Sequence, residues 1–393
     1  MDRITNPYTP NAGARPPELA GRNEELEGFE ILLTRMQRGR PEQSMIITGL
    51  RGVGKTVLLN AFEDRAEASG WVTVSTEIHK HGEFAEKLAL LARRALLTLS
   101  PRARWSERAT NAAQVLKSFS VTVGADGVTA GIDLEKLDGR ADSGMLADDI
   151  TDLFVALGEA ARDADRGVVF LVDELQYLTA EELGAFIAAL HRTVQRALPI
   201  TLVGAGLPQL PKLAGDARSY AERLFKFPRI GPLAPEHGRA ALTEPASQEG
   251  VKYEDEALEA MLAYTEGYPY FLQEYGKAAW DLAAGSPITA EDVELARPLV
   301  EAELDESFFR VRTDRSTALE LRYLRAMASL GSDPQAAKDV AAVLGRTSEQ
   351  LGPTRARLID KGLLYTPMHG HAEFTVPQFD RYMLRAYPDL LNE

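Results

Sequence analysis

Eight residues, Gly49-Leu50-Arg51-Gly52-Val53-Gly54-Lys55-Thr56, constrain this chain more than any other stretch. They match G-x-x-x-x-G-K-[ST], with the short apolar run Ser44-Met45-Ile46-Ile47-Thr48 before them and an apolar, helix-periodic run over 57–68 after them. Strand, glycine loop and helix open an α/β unit in which successive backbone N–H groups can curl around an anion. The helix N-terminus adds the positive end of its dipole, Lys55 balances β- and γ-phosphate charge, and the Thr56 hydroxyl can hold Mg²⁺. Gly49, Arg51, Gly52, Val53, Gly54, Lys55, Thr56 and Val57 are therefore the candidate nucleotide-binding residues, and ATP with Mg²⁺ the expected ligands. A glycine turn that merely reverses the chain would require neither the Lys-Thr pair nor the flanking strand and helix.

Such a loop needs a carboxylate at the end of a neighbouring strand. The most apolar run, 168–172, is followed at once by Asp173 and Glu174, and two acids after a buried strand are costly unless used. Asp173 would join Thr56 at the Mg²⁺, and Glu174 would polarise the attacking water, which makes Lys55, Asp173 and Glu174 the candidate catalytic set. The alternative is that both acids cap the next helix.

At 393 residues the chain exceeds the roughly 250 that one core usually serves, so several domains are expected. Residues 1–18 are proline-rich and read as an extended arm. Strands alternate with helices over 19–233, the pattern of an α/β fold: a parallel-sheet P-loop NTPase core. Within it, period-two alternation at 120–123 and 128–132 around Gly124-Ala125-Asp126-Gly127 predicts an inserted β-hairpin over 118–134. Helical patterns separated by Gly and Pro over 234–311 predict an all-α lid. Three helices and two short strands in 312–393 give the element order of a C-terminal winged helix.

The net charge of -14 argues against coating nucleic acid by bulk attraction. From Arg312 onward, however, the chain carries 11 Lys/Arg against 10 Asp/Glu, so any nucleic-acid contact is expected there. With no cysteine, disulfides, thiolate metal sites and cysteine nucleophiles are excluded. His79 and His81 read as a solvated turn rather than a metal pair. No apolar run approaches the roughly 20 residues of a membrane span, and no basic-then-apolar leader opens the chain, so a cytoplasmic location is expected.

Gly49 to Thr56, Asp173-Glu174-Leu175-Gln176, Leu19-Ala20-Gly21-Arg22-Asn23-Glu24 and Gly267-Tyr268-Pro269 together resemble AAA-type ATPases. The resemblance is to the branch holding the origin-recognition/helicase-loader and signal-transducing STAND ATPases, and it covers about residues 5 to 300 with a winged helix after it. It implies that Ala20, Gly21 and Arg22 border the adenine and that Pro269 touches the nucleotide from the lid. Two departures from that pattern stand out. Val203-Gly204-Ala205-Gly206 offers no polar residue at the end of the strand before the lid, and Gly267-Tyr268-Pro269 takes the place of the lid arginine. Slow hydrolysis, suited to a switch, is the expectation. Where such proteins carry an arginine finger toward a neighbour's γ-phosphate, Arg223 is the first candidate and Arg218 the second, which implies a homo-oligomer; ordinary exposed arginines are the competing reading.

In the tail, residues 347–361 would form the recognition helix, with Gln350, Thr354, Arg355 and Arg357 facing double-stranded DNA. Winged helices also dock proteins. The expected function is thus Mg-ATP binding with slow hydrolysis that drives a conformational or assembly switch, controlling DNA binding by the winged helix; the alternative is a signalling or defence switch whose winged helix docks protein.

Overall fold

The core elements are α1 (Asn23–Gln37), β1 (Ser44–Thr48), α2 (Lys55–Ala68), β2 (Val72–Glu77), α3 (Phe84–Leu99), α4 (Glu107–Thr122), α5 (Leu146–Asp163), β3 (Val168–Asp173), α6 (Ala180–Gln195), β4 (Ile200–Gly206), α7 (Leu210–Ala217), α8 (Ala221–Leu224) and β5 (Phe225–Lys226). The computed structural model describes residues 1–11, 13, 14, 16, 19–80, 84–100, 105–129 and 139–391. Every residue of β1, β3 and β4 is buried, as strands covered on both faces must be. They lie in a parallel sheet of order β2-β3-β4-β1-β5. Alternate side chains serve opposite layers: Met45, Ile47, Leu171 and Val203 pack with α1 and α2, and Ile46, Phe170, Val172 and Leu202 with α3 to α6. Register brings four strand ends together, because Thr48 pairs with Gly206, Val172 with Gly204, and Asp173 with Glu77.

The inserted hairpin expected over 118–134 is a correction. Residues 118–122 are the end of α4, and a 3-10 turn follows at Asp126–Thr129. The rest of the expected hairpin, 130–134, lies outside the described residues, as do His81 and residues 12, 15, 17 and 18 of the expected arm. Ser106 caps α4 by accepting from the Ala109 N–H. Ala112, Val115, Leu116 and Phe119 then recur at helical spacing and are buried against α3 and α5. This packing overrides the β-branched alternation of Val121-Thr122-Val123, of which Val121 is exposed.

Four helices follow the core: α9 (Pro235–Gln248), α10 (Asp255–Thr265), α11 (Pro269–Leu282) and α12 (Ala290–Glu303). A π-helical segment, Leu304–Arg310, and the short α13 (Val311–Thr313) continue α12 without a break. The start of the chain is part of this layer. The Met1 ammonium donates to the Ala283 carbonyl at 2.5 Å, and the indole of Trp280 donates to the Asp2 carbonyl at 2.9 Å. Tyr8 is 3% exposed, and its hydroxyl lies 2.5 Å from the Leu242 carbonyl and 2.6 Å from the Tyr253 hydroxyl. Gly276 makes room for the ring, since a Cβ there would come within 2.7 Å of it.

The C-terminal module comprises α14 (Ala318–Ser329), β6 (Gln335–Ala336), α15 (Ala337–Val343), α16 (Ser348–Asp360), β7 (Leu364–Tyr365), β8 (His371–Phe374) and α17 (Phe379–Ala386). Its strands form an antiparallel sheet of order β6-β8-β7. It rests on the other layers through polar links: Gln378 to the Tyr264 carbonyl at 2.7 Å, Arg381 to Glu266, and Arg385 to Glu301 and Asp305.

Tyr8→Ala is expected to destabilise the chain by about 3–5 kcal/mol, the usual cost of emptying an aromatic site. Tyr8→Phe, which removes only the buried hydroxyl, should cost about 1 kcal/mol. Chemical denaturation checks both, and equal losses would contradict the packing argument.

Candidate nucleotide-binding site

The loop between β1 and α2 turns on two glycines in the left-handed region, Gly52 at φ 82° and Gly54 at φ 92°. Gly49 is required for closeness instead, since a Cβ there would meet the Ile230 carbonyl at 2.5 Å. Lys55 opens α2 and is 7% exposed, with its ammonium donating to the carbonyls of Gly49 at 3.0 Å and Leu50 at 2.8 Å. Burial pushes Lys55 down to about 8; Glu174 and Asp173 pull it back up, and Arg51 adds repulsion.

The expected carboxylates sit beside it. The Thr56 hydroxyl donates to Asp173 Oδ2 at 2.6 Å, and Asp173 Oδ1 accepts from the Glu174 N–H at 2.8 Å. A hydroxyl and a carboxylate are hard oxygen donors suited to Mg²⁺. Among the described residues no group of three His, Asp or Glu could hold a metal, so Mg²⁺ at Thr56 and Asp173 would need phosphate oxygens to complete its shell. Glu174 has φ 58° and is held on two sides, by the Arg51 guanidinium at 3.8 Å and by the Gln176 amide.

Gln176 accounts for the missing polar residue on β4. Its amide donates to Glu174, while its Oε1 accepts from the Leu207 N–H at 3.1 Å. A Cβ on Gly206 would come within 2.3 Å of that oxygen, and one on Gly204 within 2.1 Å of Leu175. The two glycines of β4 thus leave space for the residues after Glu174, and an amide from the neighbouring strand end lies where β4 supplies none.

A cleft of about 420 Å³ covers the loop. Of the residues singled out in the sequence, Arg51, Gly52, Val53, Gly54, Lys55, Thr56, Val57, Glu174, Ala20, Arg22 and Pro269 line it, and Gly49, Gly21 and Asp173 do not. Arg22 braces rather than projects: its guanidinium donates to the Val53 carbonyl at 3.2 Å and to the Gly231 carbonyl at 2.7 Å. Sequence reasoning missed the other wall. Thr9, Pro10 and Asn11 line the cleft from the chain start, and Tyr270, Phe308 and Arg312 from the far side. Tyr270 and Phe308 stack at 4.9 Å, and both reach within 3.5 Å of a Cβ built on Gly52. Arg312 lies over the Phe308 ring at 4.1 Å and has no carboxylate partner among the described residues. Burial, with the like charge of Arg51, pushes it down to about 10. The usable signal was the Phe308-Phe309 pair four residues before an arginine, in an otherwise polar stretch.

Other candidates lie elsewhere. Arg223 is on α8 and exposed, away from the chain's own cleft; Arg218 donates to the Gly184 carbonyl at 3.3 Å. In the tail, Thr354 is a correction: it is 2% exposed, on the buried stripe Leu351-Thr354-Leu358, so it cannot face DNA. Gln350 completes the cap of α16 by accepting from the Thr347 N–H at 3.0 Å. Arg355 donates to the His371 carbonyl at 2.7 Å, and Arg357 pairs with the buried Glu320 at 3.2 Å.

A parallel sheet with a phosphate loop at one strand end and an acid pair at the next defines a P-loop nucleotide hydrolase. Residues 18–203 match the family described as AAA ATPase domain, and residues 306–383 match a domain of unknown function, DUF8462. Residues 18–203 are thus an AAA-type ATPase domain, and the protein is a P-loop ATPase. No curated protein matches the chain. The fold is similar to that of the Walker-type ATPase of Pyrococcus abyssi, at 17% identity and TM-score 0.50, covering 94% of this chain and 97% of that one. Also similar are the Aeropyrum pernix ORC1 protein in complex with DNA (15%, TM-score 0.47, 99% and 97% covered) and the Thermotoga maritima RuvB Holliday junction branch migration motor (15%, 0.46, 95% and 98%). No helix of the described residues is long and apolar enough to cross a membrane.

A bound phosphate would raise the Lys55 pKa, so nucleotide affinity should be highest below pH 8 and fall as pH rises through it. Isothermal calorimetry from pH 7 to 9.5 checks this; a flat profile would contradict it. Gln176→Ala should lower kcat roughly 10-fold while leaving nucleotide affinity within about 2-fold, since it removes the brace on Glu174 and the Leu207 contact but no residue of the phosphate loop.

Proposed function

We propose that the chain binds Mg-ATP in the cleft over Gly49 to Thr56, hydrolyses it slowly, and uses the nucleotide state to hold or release its C-terminal module, which we read as a winged helix. The observation that carries this reading is a hydrogen bond from the phosphate loop itself: the Arg51 N–H donates to the Thr375 carbonyl at 3.0 Å. Gly362 lies beside the same arginine, 2.9 Å from its guanidinium to a built Cβ, and Arg312 reaches the cleft from the segment joining lid to module. A loop that rearranges around phosphate disturbs its contacts with the module.

In this reading Lys55 leaves its two backbone carbonyls for the β- and γ-phosphates, and Arg312 adds cationic charge from the far wall. Mg²⁺, held by Thr56 with Asp173 behind it, would neutralise phosphate charge. Glu174 orients the attacking water and receives its proton. Its ion pair with Arg51 supports slow turnover, because Glu174 must leave that partner to reach a water, whereas the Gln176 amide keeps the carboxylate oriented. Arg223, exposed on α8, is left for a neighbouring copy's phosphate in an oligomer. A role of the module in docking protein is favoured over base reading by the internal engagement of Arg355 and Arg357. Duplex binding through Gln350 and those two arginines would require them to exchange partners.

Lys55→Ala should weaken ATP binding by about 2–3 kcal/mol, some 30- to 150-fold, with the fold intact. Glu174→Gln should retain ATP and lose most hydrolysis. Hydrogen exchange at residues 362–376 should rise when ATP is added to Glu174→Gln but not to Lys55→Ala. Exchange that is the same in both would contradict the coupling.

A further inference from the structure

A second concavity, of about 610 Å³, opens between α7 of the core and the C-terminal module. Its wall carries Lys212 from α7, Lys338 from α15, Arg355 from α16, and His369 and His371 from β8 and the turn before it. None of the described residues that line it is acidic, in a chain whose net charge is -14. Such a wall focuses positive potential where the protein as a whole repels anions.

Two buried polar atoms at this wall have no partner: the hydroxyl of Tyr323, a residue 1% exposed, and Nε of Arg355. Leaving buried donors unpaired costs free energy, and each such group calls for an explanation. The Arg355 guanidinium is already fixed, because Nη2 donates to the His371 carbonyl at 2.7 Å. Burial raises the Tyr323 phenol, which keeps its proton available for donation. Ser348, the first residue of α16, also lines the cleft. The cap of α16 uses the Gln350 N–H, and the Glu349 carboxylate accepts from its own N–H, so in the first turn the Ser348 N–H is left without an intrahelical acceptor. Lys212, Lys338, Arg355, Tyr323 and the Ser348 N–H offer donors here, and what satisfies convergent donors and cations is a multivalent oxyanion.

We propose that this cleft binds a phosphate group of a ligand other than the nucleotide at Lys55, and that the bound phosphate joins the ATPase core to the C-terminal module. Lys212 contributes from one body and Lys338, Arg355 and Tyr323 from the other, so occupancy favours the arrangement in which the two are docked. The phosphate belongs either to a phosphorylated small molecule or to a nucleic-acid backbone. Both present the same tetrahedral oxyanion to the same donors.

The test uses the full-length Lys55→Ala chain, which weakens phosphate binding at the nucleotide loop. Inorganic tripolyphosphate is titrated by calorimetry, and a short DNA duplex by a salt-dependent mobility assay. Charge reversal at Lys212→Glu with Lys338→Glu should weaken binding at least 10-fold, whereas Lys212→Arg with Lys338→Arg should restore it to within about 2-fold. Neither residue lines the nucleotide cleft, so ATP hydrolysis by the same pairs in the wild-type background reports that they fold. Tripolyphosphate binding that responds to reversal supports a small phosphorylated ligand. Duplex binding alone, with the same response, supports a nucleic-acid backbone. Binding of neither probe, or binding indifferent to the reversal, overturns the proposal.

Discussion

Lys55 is a buried cation whose contacts are two backbone carbonyls rather than a carboxylate, and the site is arranged around that fact. A buried charge without a counter-ion is expensive, and the cost appears as the lowered pKa. Two acids stand near enough to pull on the ammonium, yet each is committed to another partner. Asp173 accepts from Thr56, and Glu174 is flanked by Arg51 and Gln176. A direct Lys55 ion pair would compete with phosphate for the same cation. Holding the acids aside leaves that charge free to meet an anion.

The glycines of this region solve a space problem as much as a conformational one. Gly52 and Gly54 have positive φ, but Gly49, Gly204 and Gly206 do not; at each of these three a Cβ would collide with a neighbour. At β4 the colliding atoms belong to Leu175 and Gln176, the residues that follow Glu174. The departure of Val203-Gly204-Ala205-Gly206 from the AAA pattern is therefore tied to the approach of Gln176, which brings an amide to Glu174 from another strand end.

The segment after α12 lies between the cleft and the C-terminal module. The π-helical turn at Leu304–Arg310 widens the backbone, a geometry often found at functional positions. It presents Phe308 to Gly52 and Tyr270, and Phe309 to Tyr382 of the C-terminal module, stacked at 5.1 Å. Adjacent aromatic residues thus touch the phosphate loop on one side and the module on the other. Together with the bond from Arg51 to Thr375, they place the phosphate loop in contact with the tail at two points.

The chemistry of the phosphate loop was legible in the chain because it depends on contiguous residues: Gly49 to Thr56 after an apolar strand, and Asp173-Glu174 after another. Local sequence also determined the alternation of strands and helices, since burial on both faces of a parallel sheet demands apolar runs. It misled where a short signal met a longer one, as at 118–122, where β-branched alternation lost to the buried face of a helix that begins at Glu107. It was silent on contacts between distant segments. Only the tertiary structure placed Thr9 and Arg312 in one cleft, set Gln176 against Gly206, turned Thr354 inward and Arg355 toward the His371 carbonyl, and gathered Lys212 with Lys338 around a shared cavity. Each of those relations joins residues through the packing of separate elements, and no spacing along the chain encodes which side chains such packing will bring together.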